Sequence, residues 1–152
     1  VNDLLNALLH AIVYALVSGL ILIVAYYVLD LVTPGHLGSH LHGTDDSGKA
    51  SVHLQSRSAA LVAAAWMVSN ALVLFTAIWT NGATDLGWAL AWTVSFGILG
   101  VALNAAMLFA IDAVTPGNLR QIVCEPGPVR PLAYLASATA LSVAAIVCAS
   151  IA

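Results

Sequence analysis

The chain has 152 residues, 61% of them hydrophobic, with four basic and seven acidic side chains and a formal net charge of -3. A charged fraction of 7% against roughly 25% in soluble domains excludes an ordinary water-soluble globule. Four basic residues also supply too few phosphate contacts for a nucleic-acid binder, so no nucleic-acid partner is expected.

The charges leave four uncharged runs: 4–29 (26 residues), 58–84 (27), 86–111 (26) and 131–152 (22). Each is longer than the roughly 20 apolar residues that cross a hydrocarbon layer. Hydrocarbon cannot hydrogen-bond a bare backbone, so each run is expected to be a helix. The predicted class is an all-α membrane protein with four transmembrane helices, arranged as two parallel two-helix repeats in the lipid bilayer. The predicted units are 1–57 (first helix and His-rich loop), 58–85 (second helix), 86–130 (third helix and loop) and 131–152 (fourth helix).

The first run has no positive segment before it and no small-residue cleavage site after it, so it reads as a retained helix and not a signal peptide. Asn6, His10, Tyr14 and Ser18 recur at intervals of four and share one helical face. Such a stripe is poorly matched to lipid. Hydrogen bonding to other helices is its expected use, with a polar pathway from His10 toward Asn70 and Asn104 as the alternative. The run closes on Asp30-Leu-Val-Thr-Pro-Gly35, in which Pro34 removes an amide donor, Thr33 is pushed out of helical geometry, and Gly35 is free to turn left-handed. The carboxylate of Asp30 would face the negative end of its own helix and calls for compensation.

The next loop carries His36, His40, His42 and His53, with Asp45 and Asp46 nearby. His36, His40 and His42 are ligand types for zinc, nickel or copper. Their spacing matches no metal signature, and Gly38, Gly43 and Gly48 favour a solvated, mobile loop. The second run holds Ser69 and Asn70 near its middle. The third holds Thr93, Gly97, Gly100 and Asn104 in one row and ends in Asp112-Ala-Val-Thr-Pro-Gly117. The fourth places Ala136, Ala140 and Ala144 in line with Ser142 beside them, and small residues of this kind let helix backbones approach.

The two D-x-V-T-P-G segments match at five of six positions at an offset of 82. Each is followed by a hydrophilic loop ending in an arginine, Arg57 or Arg130. The expected ion pairs are Asp30 with Arg57 and Asp112 with Arg130, tying each helix exit to the next helix entry. A crossed arrangement using Arg120, or a cation site at Asp30 and Asp112, is the alternative. Thr115, Pro116 and Gly117 repeat the stop signal of Thr33, Pro34 and Gly35.

Over nearly its whole length the chain resembles the bacterial inner-membrane proteins grouped as domain of unknown function 350, through the twice-repeated two-helix unit and the T-P-G closing the first helix. The resemblance implies a small protein of tandem two-helix units in a setting near polyamine-synthase-like or membrane-stress proteins.

Lys49, Arg57, Arg120 and Arg130 all fall in the two loops that follow the T-P-G segments, which the positive-inside rule makes cytoplasmic. Both termini are then expected outside a bacterial inner (plasma) membrane. Trp79 and Trp88 flank the outer turn, while Tyr26, Tyr27 and Tyr134 lie near the inner boundary, as interfacial rings do. Cys124 and Cys148 fall on opposite sides and are not expected to pair. Glu125 beside Cys124 opposes thiolate formation. With no nucleophile elbow, phosphate loop or HExxH, neither an enzyme nor a cofactor is expected. The function read from the sequence is a noncatalytic scaffold or accessory subunit that associates with itself or with another membrane protein. A small oligomeric ion channel or transporter using Asp30 and Asp112 is the alternative.

Overall fold

A computed structural model describes residues 2–44, 49–83 and 85–152. Among the described residues six α-helices follow in order: α1 (Asn2–Val32), α2 (Leu37–His42), α3 (Arg57–Trp79), α4 (Leu86–Val114), α5 (Leu119–Cys124) and α6 (Pro131–Ile151), with one 3-10 turn at Val52–Leu54. Among the described residues there is no strand, only the isolated bridges Thr44–Ala50 and Ser56–Gly127. α1, α3, α4 and α6 are long and apolar enough to cross a membrane. The protein is a four-span membrane protein with short helices α2 and α5 at one end, called here the corner end. The opposite, turn end carries the α3–α4 connection.

The helix limits have local causes. Ser56 caps α3 by accepting the Ala59 amide at 3.1 Å, and Asp85 caps α4 by accepting the Trp88 amide at 2.9 Å. Pro131 stands at the start of α6, where its missing N–H costs nothing. α3 ends at Trp79, at the edge of the outer turn expected between Trp79 and Trp88. There Asn81 turns the chain, accepting from the Ala83 amide and donating to the Ala89 carbonyl, each at 2.9 Å.

α3 and α4 form the centre of the bundle, each touching all three other spanning helices, while α1 and α6 occupy opposite corners. α4 turns Thr93, Gly97, Gly100 and Asn104 inward, and α6 buries Ala136, Ala140 and Ala144. Ser142 is exposed and bonds its own helix at Ala138. Gly97 sets the closest approach: a Cβ there would lie 2.8 Å from Leu74 and 3.1 Å from Ile21, so glycine is what lets α1, α3 and α4 meet. α1 contributes Ile21, Ala25, Leu29 and Val32 to the core, at helical spacings that define one face. Nearer the turn end, residues 3–12 of α1 are exposed throughout.

Candidate functional site

The corner end gathers most of the chain's ionisable chemistry. At each corner the T-P-G segment stops a spanning helix, at Val32 and at Val114, and a six-residue helix begins five residues later. The Thr33 amide bonds the Leu29 carbonyl and the Thr115 amide bonds the Ile111 carbonyl, both at 2.9 Å. Gly35 and Gly117 adopt φ of 80° and 93°, a region open to glycine and strained for other residues. The two corners therefore share this amide bond and this glycine conformation where their helices stop.

The short helices α2 and α5 replace what the sequence suggested were plain loops. Their signal is an apolar pair one helical turn apart, Leu37 with Leu41 and Leu119 with Val123, directly after each T-P-G. Leu37, Leu119 and Val123 are buried, so each short helix folds back onto the bundle as a lid. The fold-back also answers the dipole problem of the two aspartates. Asp30 Oδ1 accepts the Leu37 amide at 2.6 Å, and Asp112 Oδ1 accepts the Arg120 amide at 3.3 Å. Each carboxylate ending one helix thus sits at the positive start of the next.

The expected ion pairs are corrected. Asp112 pairs with Arg120, Nε to Oδ2 at 2.9 Å, because α5 starts at once and brings Arg120 back beneath α4. Arg130 instead pairs with Glu125 at 2.8 Å, while its backbone amide donates to Ser58 Oγ at 2.8 Å. Asp30 has His36 Nδ1 at 3.8 Å and forms no ion pair with Arg57 among the described residues; Arg57 opens α3 with its side chain exposed. Arg120 reaches further than any pair read from the sequence. Its Nη1 donates to the Val32 carbonyl at 3.1 Å, and its guanidinium lies 4.7 Å from the centre of the Phe109 ring, a cation–π contact. One side chain thereby joins the end of α4, the start of α5 and the last residue of α1.

Ser56 is the second link, and sequence reasoning missed it, although a serine just before an apolar helix is a capping signal. It is buried; its amide donates to the His40 carbonyl at 2.9 Å, and its hydroxyl donates to the Val123 carbonyl at 2.7 Å. Gly127 pairs with the same strand-like segment, donating to Gln55 and accepting from Arg57. The two loops are stitched into one cap.

His36, His40 and His42 do not converge: no group of three metal-ligand side chains occurs among the described residues. His36 precedes α2, His42 lies on another face of that short helix, and His40 Nε2 sits 2.9 Å from the Pro34 carbonyl as a donor. Asp45, Asp46 and Gly48 lie outside the described residues. Gly43 ends α2 at φ 65°, so it is a helix terminator and not a sign of looseness. Cys124 and Cys148 are free thiols. Burial pushes the Cys124 thiol up from 9.0 to about 11; desolvation is the cause, and Glu125 is engaged with Arg130.

In the bundle interior, Trp66 Nε1 donates to the Ala25 carbonyl at 2.9 Å. Asn104 Nδ2 donates to Ser69 Oγ, and both Ser69 Oγ and Asn70 Nδ2 donate to the Trp66 carbonyl, all at 2.9 Å. The pathway from His10 is not formed. His10 is exposed and bonds the Asn6 carbonyl of its own helix at 2.7 Å, away from the buried Asn70 and Asn104. Tyr14 and Ser18 are half-buried on the same face of α1.

Comparison with known proteins agrees on a transmembrane protein. The chain is 29% identical over 132 residues to a UPF0719 transmembrane protein of Mycolicibacterium paratuberculosis (strain ATCC BAA-968 / K-10), covering 86% of this chain and 79% of the relative. No solved structure matches. Residues 3–151 match the family described as Domain of Unknown Function (DUF350), and with four apolar spans closed by a stitched cap, the chain belongs to that family.

Proposed function

We propose that the protein is a noncatalytic scaffold or accessory subunit of the bacterial inner membrane. The T-P-G corners and the four basic residues face the cytoplasm, and both termini lie outside. The placement of Lys49, Arg57, Arg120 and Arg130 in the two corner loops supports the orientation. The bacterial relative with a transmembrane name supports the compartment. The observation that carries the functional reading is the Asp112–Arg120–Val32 link: the carboxylate that would have lined an ion mouth is committed to holding the cap shut. The equivalence of the two corners at an offset of 82 supports descent from a duplicated helix–cap–helix unit, with the boundaries read from the sequence.

A flux assay tests the reading against the channel alternative. Purified protein in liposomes, under imposed proton and potassium gradients, is expected to leak no faster than protein-free vesicles. Flux above that level, lost in Asp30→Asn, would establish the channel instead. The asparagine keeps an acceptor for the Leu37 amide, so the variant removes charge without removing the cap bond.

A further inference from the structure

The amide of Asn104 is only half used. Its Nδ2 donates to Ser69 Oγ at 2.9 Å, and the Ser69 proton goes on to the Trp66 carbonyl. Because the Ser69 hydroxyl has spent its one proton, it must accept from Asn104, which fixes the amide with nitrogen toward Ser69 and leaves the oxygen free. Asn104 is 2% exposed, and its Oδ1 has no hydrogen-bond partner among the described residues. A buried acceptor without a donor costs free energy, and the hydrocarbon around the bundle offers none. Asn104 also lines a cavity where α3, α4 and α6 meet, together with Val62, Trp66, Leu108, Ala136 and Thr139. Thr139 gives its hydroxyl proton to the Leu135 carbonyl of its own helix at 2.8 Å, so its oxygen too is left as an acceptor.

We propose that this cavity is a binding site for one water molecule, which donates one hydrogen bond to Asn104 Oδ1 and the other to Thr139 Oγ1 and so joins α4 to α6 inside the bundle. Size and charge select the occupant. The cavity leaves about 10 Å³ for the centre of a water-sized sphere, about the room that one ordered water takes and too little for an organic ligand. Two polar partners meet the minimum for a buried water. A cation would also suit two oxygens, but runs 58–84, 86–111 and 131–152, which supply the walls, carry no formal charge. A cation there would be buried with no counter-charge. Water brings two donors and no charge. The bridge also falls where the bundle otherwise lacks one. Trp66 ties α3 to α1 and Asn104 ties α4 to α3, whereas the hydroxyls of Thr139, Ser142 and Ser150 on α6 bond within their own helix.

Water-edited solid-state NMR of the full chain in lipid bilayers tests the site, with the amide of Val73, 0% exposed, as the dry reference. Magnetisation from water is expected to reach the Asn104 side-chain amide and the Thr139 methyl before it reaches Val73. Thr139→Val keeps the shape of a half-buried side chain and is expected to abolish the early transfer to Asn104. Asn104→Leu is expected to abolish it at Thr139. Transfer to Asn104 as slow as to Val73 in the unaltered chain would mean a dry cavity and overturn the proposal, and early transfer that survives Thr139→Val would overturn the bridge. Replacing sodium and potassium by choline is expected to leave the Asn104 side-chain shifts unchanged; a change would identify a cation in place of the water.

Discussion

Arg120→Ala is expected to destabilise the bundle by about 2–3 kcal/mol, somewhat below the roughly 3–5 kcal/mol typical of breaking a fully buried pair. Asp112 is only 14% exposed and Arg120 27%, so the orphaned carboxylate keeps little water while losing its charged donor. The Val32 carbonyl loses its donor in the same substitution. The effect should appear as a lower midpoint of unfolding in mixed detergent micelles. Asp112→Ala together with Arg120→Ala should cost less than the sum of the two single changes, because the double variant leaves no unpaired charge. Arg120→Lys should restore only part of the stability, since an ammonium cannot reproduce the planar fork that spans Asp112 and Val32. Strict additivity would mean that the link does not hold the cap.

Trp66→Ala carries the second large effect. The indole is the largest fully buried side chain and joins α3 to α1 through the Ala25 carbonyl at 2.9 Å. Removing a core tryptophan from a soluble protein costs about 3–5 kcal/mol. In a bilayer part of that falls away, because the unfolded helices still hold the ring in apolar surroundings. What remains is the void and the lost contact energy, and about 2–4 kcal/mol is expected by the same unfolding assay. Trp66→Phe isolates the hydrogen bond and should cost about 0.6–2 kcal/mol. A Phe variant as unstable as the Ala variant would show that the bond, and not the packing, governs this site.

The fold was legible because hydrocarbon imposes a strict rule: a charge-free run long enough to cross must be helical. The inward row on α4 was also legible, since Thr93, Gly97, Gly100 and Asn104 recur at helical spacing and are buried. The end of α1 and of α4 was legible as well, since the helices stop at Val32 and Val114, directly before the T-P-G segments. Less legible were the partners of the two aspartates. Arg57 and Arg130 stand at the entries of α3 and α6, so the two matching D-x-V-T-P-G segments suggested them. Arg120 has Gly38 as its counterpart at the 82-residue offset, and the decisive contact therefore falls at a position where the two corners differ. The sequence offered Arg120 only in the alternative, crossed arrangement. α2 and α5 were missed because six residues are too short for periodicity to stand out, although Leu119 and Val123 carry the signal.

Cysteine labelling in intact cells tests the central claim, four crossings with the stitched cap inside. In a Cys124→Ser, Cys148→Ser background, Gly82→Cys is expected to react with an impermeant maleimide and Lys49→Cys to react only after the membrane is opened. Labelling of position 49 with protection of position 82 would invert the protein, and labelling of both in sealed cells would contradict the four-span account itself.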